Sequence, residues 1–562
     1  MEARSVQVVI AGGGPCGLML ANELGCRGIR TFLIDEKPST AFNPQANATQ
    51  ARTMEHFRRL GFADEIRALG LPPEFPTDIA YFTRFSRHEL ARFSLPSSRD
   101  AKGRAASTAW PGPELPHRVS QKFVEQVLRR HAEALPGNEI RYGWRLIDFA
   151  ENADGVECVV EEAASGRRES ICSEYLFGAD GPRSFVRERL GFGYAGETGV
   201  IRDFMGGRMF ALYVRCPDFY RVVPHAPAWM NVTFNNDRRA FMAAVDGRGE
   251  FAFHTQLRAG ENPDEITDAM ARDMFQAAVG LPVDVEIFSK GAWTAGHALV
   301  ANHFQRGRVF LGGDAVHLFT PTGGLGYNTA IEDAVNIGWK LAMVLKGLAP
   351  AALLASYETE RRPLAIRNTG FARGFADSLG LYKPAADIEA DTAGGGEARR
   401  LAGEYFNLHA RAEFNIPGIT FGGRYDGSPI IIPDGAPPSD AANSYTPSAC
   451  PGGRPPHIWL QDGRSLYDTF GFEWTLLCLG KTAPLAADIR QAAAARHMDL
   501  KLCVVDSEEA RDVFGAEVVL IRPDQIVAWR GNSALDAEEI LDRVIGMRET
   551  PAPAPENTKA AS

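Results

Sequence analysis

Hydrophobic spacing along the chain changes period several times, and each change predicts an element. Val6, Val8, Val9 and Ile10 form a short β-branched run, which predicts a strand buried on both faces. Residues 18–24 read as a helix that stops by Gly25 or Gly28, and residues 31–34 as a second strand. Between 140 and 180 polar and apolar positions alternate, as in Val156-Glu157-Cys158-Val159-Val160-Glu161, which predicts a small antiparallel sheet. From 200 to 300 the strand-like runs turn aromatic, at 210–215, 229–234 and 251–257. They predict a second sheet whose concave face takes a largely apolar ligand. Residues 308–311 make a further short strand. A helix is expected to open near Asn328, with Ile331, Ala334, Val335, Gly338, Leu341, Ala342 and Leu345 at helical spacing.

The rest of the chain is less periodic. Residues 356–363 read as a helix end, 383–397 as a loop rich in Ala, Asp and Gly, and 427–456 as a Pro/Gly-rich linker. Beyond it, strand-like runs at 474–479, 500–505 and 518–523 alternate with helical stretches. The predicted class is α/β: a Rossmann-type domain carrying an inserted mixed β-sheet domain, followed by a smaller α/β domain. The expected boundaries are 1–180 for the first domain with its small sheet, 181–300 for the aromatic sheet and 301–400 for the second part of the first domain. A linker at 401–454, a C-terminal domain at 455–549 and a disordered tail at 550–562 complete the division.

The joints between elements carry the candidate chemistry. Gly12-Gly13-Gly14-Pro15-Cys16-Gly17 lies directly between the first strand and the first helix. In this context Gly12 allows a tight turn, Gly14 lets backbone touch a pyrophosphate, and Gly17 lets helix and strand pack closely. Asp35 ends the second strand, 18 residues after Gly17, where an acid holds a ribose and disfavours a 2′-phosphate. A second apolar run ends at Gly178-Ala179-Asp180-Gly181, and a third at Gly312-Gly313-Asp314. The latter leads into Pro321-Thr322-Gly323-Gly324-Leu325-Gly326, whose glycines and following helix start offer amides to a ligand. Arg52 is a candidate phosphate contact, and Arg118 and Gln121 stand at the start of another amphipathic helix.

Composition narrows the partners. The chain has 562 residues, 45% hydrophobic and 23% charged, with a net charge of −10. That sign, with no basic cluster, excludes nucleic acid and anionic membranes as expected partners. No signal peptide is recognisable and no apolar run approaches the ~20 residues of a membrane span, so a cytoplasmic protein is expected. The eight cysteines form no C-x-x-C and no His/Cys set has metal spacing.

Taken together, the three motifs resemble the single-component flavoprotein aromatic hydroxylases, with the para-hydroxybenzoate hydroxylase fold. The likeness is nearer to the longer phenol, chlorophenol and polyketide hydroxylases, whose thioredoxin-like C-terminal domain residues 455–549 resemble. Two departures stand out: Gln45 replaces an Arg common in relatives, and the C-terminal domain lacks a C-x-x-C, so no redox role is expected of it. The resemblance implies FAD as cofactor, NADPH or NADH and molecular oxygen as co-substrates, and a small aromatic substrate hydroxylated through a flavin hydroperoxide. A homodimer is left open. It implies that Gly12, Gly14, Pro15 and Gly17 touch the pyrophosphate and that Asp35 and Glu36 lie at the adenine-side ribose. Arg118 and Gln121 would flank the ribityl chain or phosphates. Asp180 and Arg183 would serve FAD and NAD(P)H. Gly313 and Asp314 would hold ribityl hydroxyls, and Gly324, Leu325, Gly326, Tyr327 and Asn328 would face the flavin pyrimidine edge. Pro321 would sit beside the flavin and the substrate. His225, His254, Tyr213 and Arg215 are the candidates for assisting a phenol, while His317 reads as a packing residue. A flavin-dependent halogenase, an oxidase of the same fold and a non-catalytic binding module are the competing readings.

Overall fold

The computed structural model describes residues 4–99, 110–198, 204–480, 484–532 and 536–548. The tail expected to be disordered lies outside the described residues.

The strand Arg4–Ala11 is central to an eight-stranded sheet. It pairs in parallel with Thr31–Asp35 on one side and Arg168–Gly178 on the other. Val309–Leu311 joins the far side of Arg168–Gly178, again in parallel. Val8, Val9 and Ile10 have no exposed surface, as a strand covered on both faces requires. The register aligns the strand ends. Ala11 lies opposite Gly178 and Ile34, and Gly178 lies opposite Leu311. Backbone pairing continues one residue further, from Gly12 to Ile34, Ala179 to Ala11 and Gly312 to Gly178. The glycine and acid loops therefore leave the sheet side by side, where ligands bind in open α/β sheets.

The early half of Arg168–Gly178 pairs antiparallel with Val156–Glu162, which pairs with Trp144–Glu151. This is the small sheet that the 140–180 alternation predicts, fused to the parallel one. Two helices cover the motif edge: Pro15–Gly25 and the 21-residue Leu325–Leu345. The second is buried nearly all round, its polar residues Asn328, Thr329, Asp333, Asn336 and Lys340 included. Gly338 lets the two cross closely, since a Cβ there would lie 2.7 Å from Glu23 Cβ.

The aromatic sheet has seven strands, in the order Glu286–Ala295, Gly207–Arg215, Glu250–Gln256, Ala240–Ala244, Met230–Thr233, Ile79–Phe82 and Glu89–Phe93. The last two come from before residue 100, so this sheet draws on more of the chain than 181–300. One face backs onto the helix Asp268–Val279, with Phe253 against Phe275 at 5.3 Å. Side chains alternate along a strand, so Tyr213, Ala243 and Ala252 present the opposite face, where Phe123 of the helix Gln121–Glu133 meets them.

Several loop expectations are overturned. Residues 356–381 form one helix, Ser356–Leu381, which continues through Pro363. Its apolar positions Leu364, Ala365, Ala372, Phe375 and Ala376 bury against the core, and that packing outweighs one lost backbone bond. Residues 393–414 form a helix whose N-cap Thr392 accepts from the Gly395 amide, and Pro417–Phe421 is another. The expected linker 401–454 is thus helical as far as residue 421.

The C-terminal unit has strand order Leu500–Val505, Trp474–Leu479, Val518–Ile521, Val527–Gly531. Its first pair is parallel and the others antiparallel, with helices Pro484–Ala495, Glu508–Phe514 and Ala537–Val544, which is thioredoxin-like topology. A buried ionic cluster joins it to the rest. Arg522 donates to both Glu360 oxygens at 2.7 and 2.9 Å, and Lys340 donates to Glu360 at 2.7 Å. Asp524 also pairs with Arg522. Burial pulls the Lys340 amine down to about 8, against the opposing pull of Glu360. Removing one member leaves buried charge unpaired. Glu360→Ala is expected to cost about 3–5 kcal/mol in urea unfolding; an unchanged unfolding midpoint would contradict this account of the junction.

Candidate functional site

The first loop is built on close approaches that exclude a side chain. A Cβ on Gly12, whose φ is +115°, would lie 2.1 Å from the Ala179 carbonyl oxygen. One on Gly17 would lie 1.9 Å from the Gly12 carbonyl. Gly14 is the opposite case, since nothing lies within 4 Å of its missing Cβ. It caps the helix Pro15–Gly25, which has no side-chain cap and no acid in its first turn. The free amides and the positive end of that helix therefore face open space, which is the arrangement a pyrophosphate takes.

Asp35 sits across this loop. Its carboxylate accepts from the Gly13 amide at 2.7 Å and the Lys37 amide at 2.8 Å. Glu36 beside it is exposed. Tyr142 donates to the Gly13 carbonyl at 2.8 Å and fixes the loop from the next strand.

Asp314 comes from the third strand end, and one distance decides whether it shares the groove. A Cβ on Gly313 would lie 3.1 Å from Cys16 Cβ, inside the first motif. Two loops some 300 residues apart in sequence are thus in contact. The Asp314 side chain is open to the groove yet walled by protein, and burial raises its pKa above the usual carboxylate value, against the charges of His317 and Lys37. The turn is fixed from behind by Asp333. One Asp333 oxygen accepts from the Gly313 amide at 3.1 Å and lies 2.7 Å from His317 Nε2; the other accepts from Arg361 Nε at 2.8 Å. Burial would raise the Asp333 carboxyl, but His317 and Arg361 outweigh it and hold it below its usual range.

The glycine loop follows. Gly323 and Gly324 both have φ of +63°, and the helix opens at Leu325, three residues before the expected Asn328. Asn328 instead binds the loop: it donates to the carbonyls of Gly324 at 2.6 Å and Ala48 at 3.0 Å, and accepts from the Gln50 amide at 2.8 Å. Gln50 donates in turn to the Gly323 carbonyl at 2.9 Å. The helix start carries neither a side-chain cap nor an acid, so its amides at Leu325, Gly326 and Tyr327 are free for a ligand edge. Pro321 is exposed at the loop's beginning.

The other candidates have neighbours of their own. Arg52 does not reach a phosphate, because its guanidinium is consumed by Glu55 at 2.9 Å, the Asp524 carbonyl at 2.7 Å and Gln525. Arg118 lies over the Trp229 ring at 3.9 Å, toward the aromatic sheet. Gln121 starts its helix, its amide bonded to the Ala46 carbonyl at 2.7 Å and its side chain to Glu125 at 2.7 Å. Asp180 braces Ser184, the N-cap of the short helix Phe185–Arg189, accepting from its hydroxyl and from the Val186 amide at 3.0 Å. Arg183 is exposed on the adjoining turn.

Of the four residues proposed to assist a phenol, three are occupied elsewhere. His225 bonds the Arg87 carbonyl and packs on Phe82, in the aromatic run Phe82, Phe85, Phe219, Phe251 on the far face of the sheet. Arg215 is half exposed and paired with Glu250. Tyr213 accepts from Lys122 at 2.7 Å and donates to Glu250, and burial and Glu250 raise its pKa, so it is no base. His254 remains. It faces the first domain, stacks on Phe241 at 4.5 Å and accepts at Nδ1 from Trp293 Nε1 at 3.1 Å. Indole N–H only donates, so Nδ1 carries no proton and Nε2–H is a donor. Burial lowers its pKa to about 4.

Sequence reasoning missed Asp333, Arg361, Gln50, Phe241 and Trp293. An acid inside the apolar helix 325–345 was a readable signal for Asp333; the others lie in stretches with no motif.

A strand-end groove shaped for a dinucleotide, beside an aromatic-faced sheet, defines a flavin-dependent oxidoreductase. A model of the FAD binding domain matches residues 5–372, and one of the aromatic-ring hydroxylase C-terminal domain matches 448–547. The chain is 30% identical to phenol 2-monooxygenase of Pseudomonas sp. (strain EST1001), over 96% of this chain and 92% of that one. It is also 30% identical to the FAD-dependent monooxygenase apdD of Emericella nidulans, over 96% and 89%. The structure of aklavinone-11 hydroxylase with FAD and aklavinone superposes with a TM-score of 0.81 at 27% identity, covering 97% of this chain and 100% of that one. The chain belongs to the FAD-dependent aromatic-ring hydroxylase family. It is an FAD-dependent monooxygenase, using molecular oxygen and a reduced nicotinamide.

Among the described residues, no helix is long and apolar enough to cross a membrane, and no group of His, Cys, Asp and Glu is arranged to hold a metal.

A neutral His254 gives a checkable outcome. Its ionisation lies below the working range, so it adds no break to the pH–rate profile between about pH 5 and 8. His254→Gln should lower the rate without changing the profile's shape. Loss of a break near pH 6–7 in that variant would contradict the assignment.

Proposed function

We propose that the enzyme hydroxylates a phenolic or polyketide-type aromatic ring held between the glycine loop and the aromatic sheet. The observation that carries this reading is the meeting of three loops: a Cβ on Gly313 would lie 3.1 Å from Cys16 Cβ of the first motif and 3.4 Å from Ala330 Cβ on the helix that opens at Leu325. The residues fit FAD by their own geometry: a glycine whose missing Cβ faces open space, an uncapped helix start at each end, and carboxylates at both ribose-like positions.

In this reading Gly12, Gly14, Pro15 and Gly17 hold the pyrophosphate and Asp35 the adenine-side ribose. Asp314 holds ribityl hydroxyls, and the amides of residues 324–328 meet the pyrimidine edge. FAD held there would supply hydride acceptance from NADH or NADPH and transfer of one atom of molecular oxygen to the ring. The chain's part is positioning and electrostatics. The positive amino-terminal end of the helix Leu325–Leu345 would stabilise negative charge on a reduced flavin held by the glycine-loop amides. His254 Nε2–H donates to an oxygen of the ring and holds the ring's orientation. The apolar walls, Phe241, Trp293 and Phe319 among them, exclude water. No protein nucleophile is required.

The test is a purified, yellow protein that consumes NAD(P)H and oxygen faster when a phenol or a polycyclic quinone is added. A colourless protein would leave only a binding module, and stimulated oxidation with no hydroxylated product would make it an oxidase. Asp314→Ala should weaken FAD retention by roughly ten- to a hundredfold, the loss of one charge-assisted hydrogen bond. A variant that stays fully loaded would remove Asp314 from the ribityl chain.

A further inference from the structure

Arg118 is 8% exposed, yet among the described residues its guanidinium has no hydrogen-bond or ion-pair partner. Burial alone moves its pKa, down to about 9, and no acid pulls it back. Other buried arginines here are answered: Arg361 by Asp333, Arg454 by Glu55, Arg522 by Glu360 and Asp524. The indole Nε1 of Trp229, whose ring lies under the guanidinium at 3.9 Å, is a second buried donor without an acceptor. Two orphaned donor groups, one of them cationic, therefore adjoin each other.

Their position follows from backbone pairing. Thr49 and His117 exchange two hydrogen bonds, at 2.9 and 2.8 Å, as an antiparallel bridge. Their neighbours Ala48 and Arg118 consequently share the other face. Ala48 packs into the aromatic-sheet core, and its Cβ lies 2.9 Å from where a Cβ on Gly324 would be. Arg118 thus stands on the sheet side of the glycine loop. Trp229 precedes the strand Met230–Thr233; its carbonyl accepts from the Ala244 amide, and its ring packs in the same core as Ala48 and Ala244.

We propose that Arg118 and Trp229 form a subsite for an oxyanion on the aromatic substrate, either a carboxylate or an ionised phenol. This rests on the hydroxylase reading and names the substrate class within it. A guanidinium offers two parallel N–H donors to such a group, and the adjoining indole N–H supplies a third. An ionised phenol bound there would also be the more electron-rich ring, which favours oxygen transfer to it.

The test uses the full-length, FAD-loaded enzyme with three probes read by perturbation of the flavin spectrum: a hydroxynaphthoate, its uncharged amide, and para-nitrophenol, whose colour reports its ionisation. The unaltered enzyme is expected to bind the carboxylate at least about tenfold more tightly than the amide, or to bind para-nitrophenol as its phenolate at a pH where the free probe is neutral. The first outcome makes the group a carboxylate and the second a phenolate. Arg118→Met should abolish the preference, and Arg118→Lys should keep part of it. An unaltered enzyme that shows neither preference overturns the proposal, whatever the variants do. So does a preference that survives in Arg118→Met, and so does loss of FAD by that variant, which would make the cation a cofactor contact. A preparation without flavin would instead defeat the hydroxylase reading itself.

Discussion

The structure depends on one backbone constraint: the register of three parallel strands that are remote in sequence. Ala11, Gly178 and Leu311 lie in one row. Each strand is followed at once by small residues, and after Gly178 and Leu311 an acid, Asp180 or Asp314, comes within a few positions. Because a parallel ladder has a fixed spacing, aligning the strand ends aligns the loops. A one-residue slip at Val309–Leu311 would carry Gly313 off Cys16 and separate the two halves of the groove.

What keeps that register is buried polar chemistry behind the site. Asp333, on the long apolar helix, receives the Gly313 amide, His317 and Arg361 together. Arg361 belongs to the helix Ser356–Leu381, and its neighbour Glu360 binds Arg522 of the C-terminal domain. The turn that presents Asp314 is therefore linked through consecutive residues to a domain with no redox cysteines. That connection gives the C-terminal domain a structural reason to be retained: it completes the support of the groove. All eight cysteines are free.

Much of this was legible in the sequence, for local reasons. Gly17 must be glycine because the Gly12 carbonyl lies one turn back, Gly12 itself takes a φ of +115°, and Asp35 follows at the end of the next strand, so spacing alone exposes the motif. The aromatic sheet and the thioredoxin-like unit were visible as runs of strand-like residues. What escaped notice depends on partners far along the chain. Arg52 had the right residue type for a phosphate contact, but its acceptors are Asp524 and Gln525. His225 sits in the correct domain on the wrong face, because two strands from before residue 100 extend the sheet and move its edge. The tautomer of His254 follows only from Trp293, two strands away. The helix start at Leu325 was misplaced because Gly323 and Gly324, both left-handed, read as a longer loop than they make.

A structure of the purified enzyme determined with FAD tests the central claim most directly. The account predicts one extended FAD per chain, its pyrophosphate on the amides beyond Gly14, one ribose at Asp35, and its pyrimidine edge at Leu325–Tyr327 with Asp314 beside the ribityl chain. Density for FAD that leaves either the Gly14 loop or the Asp314 turn without contact would show that the aligned strand ends do not make a single cofactor groove.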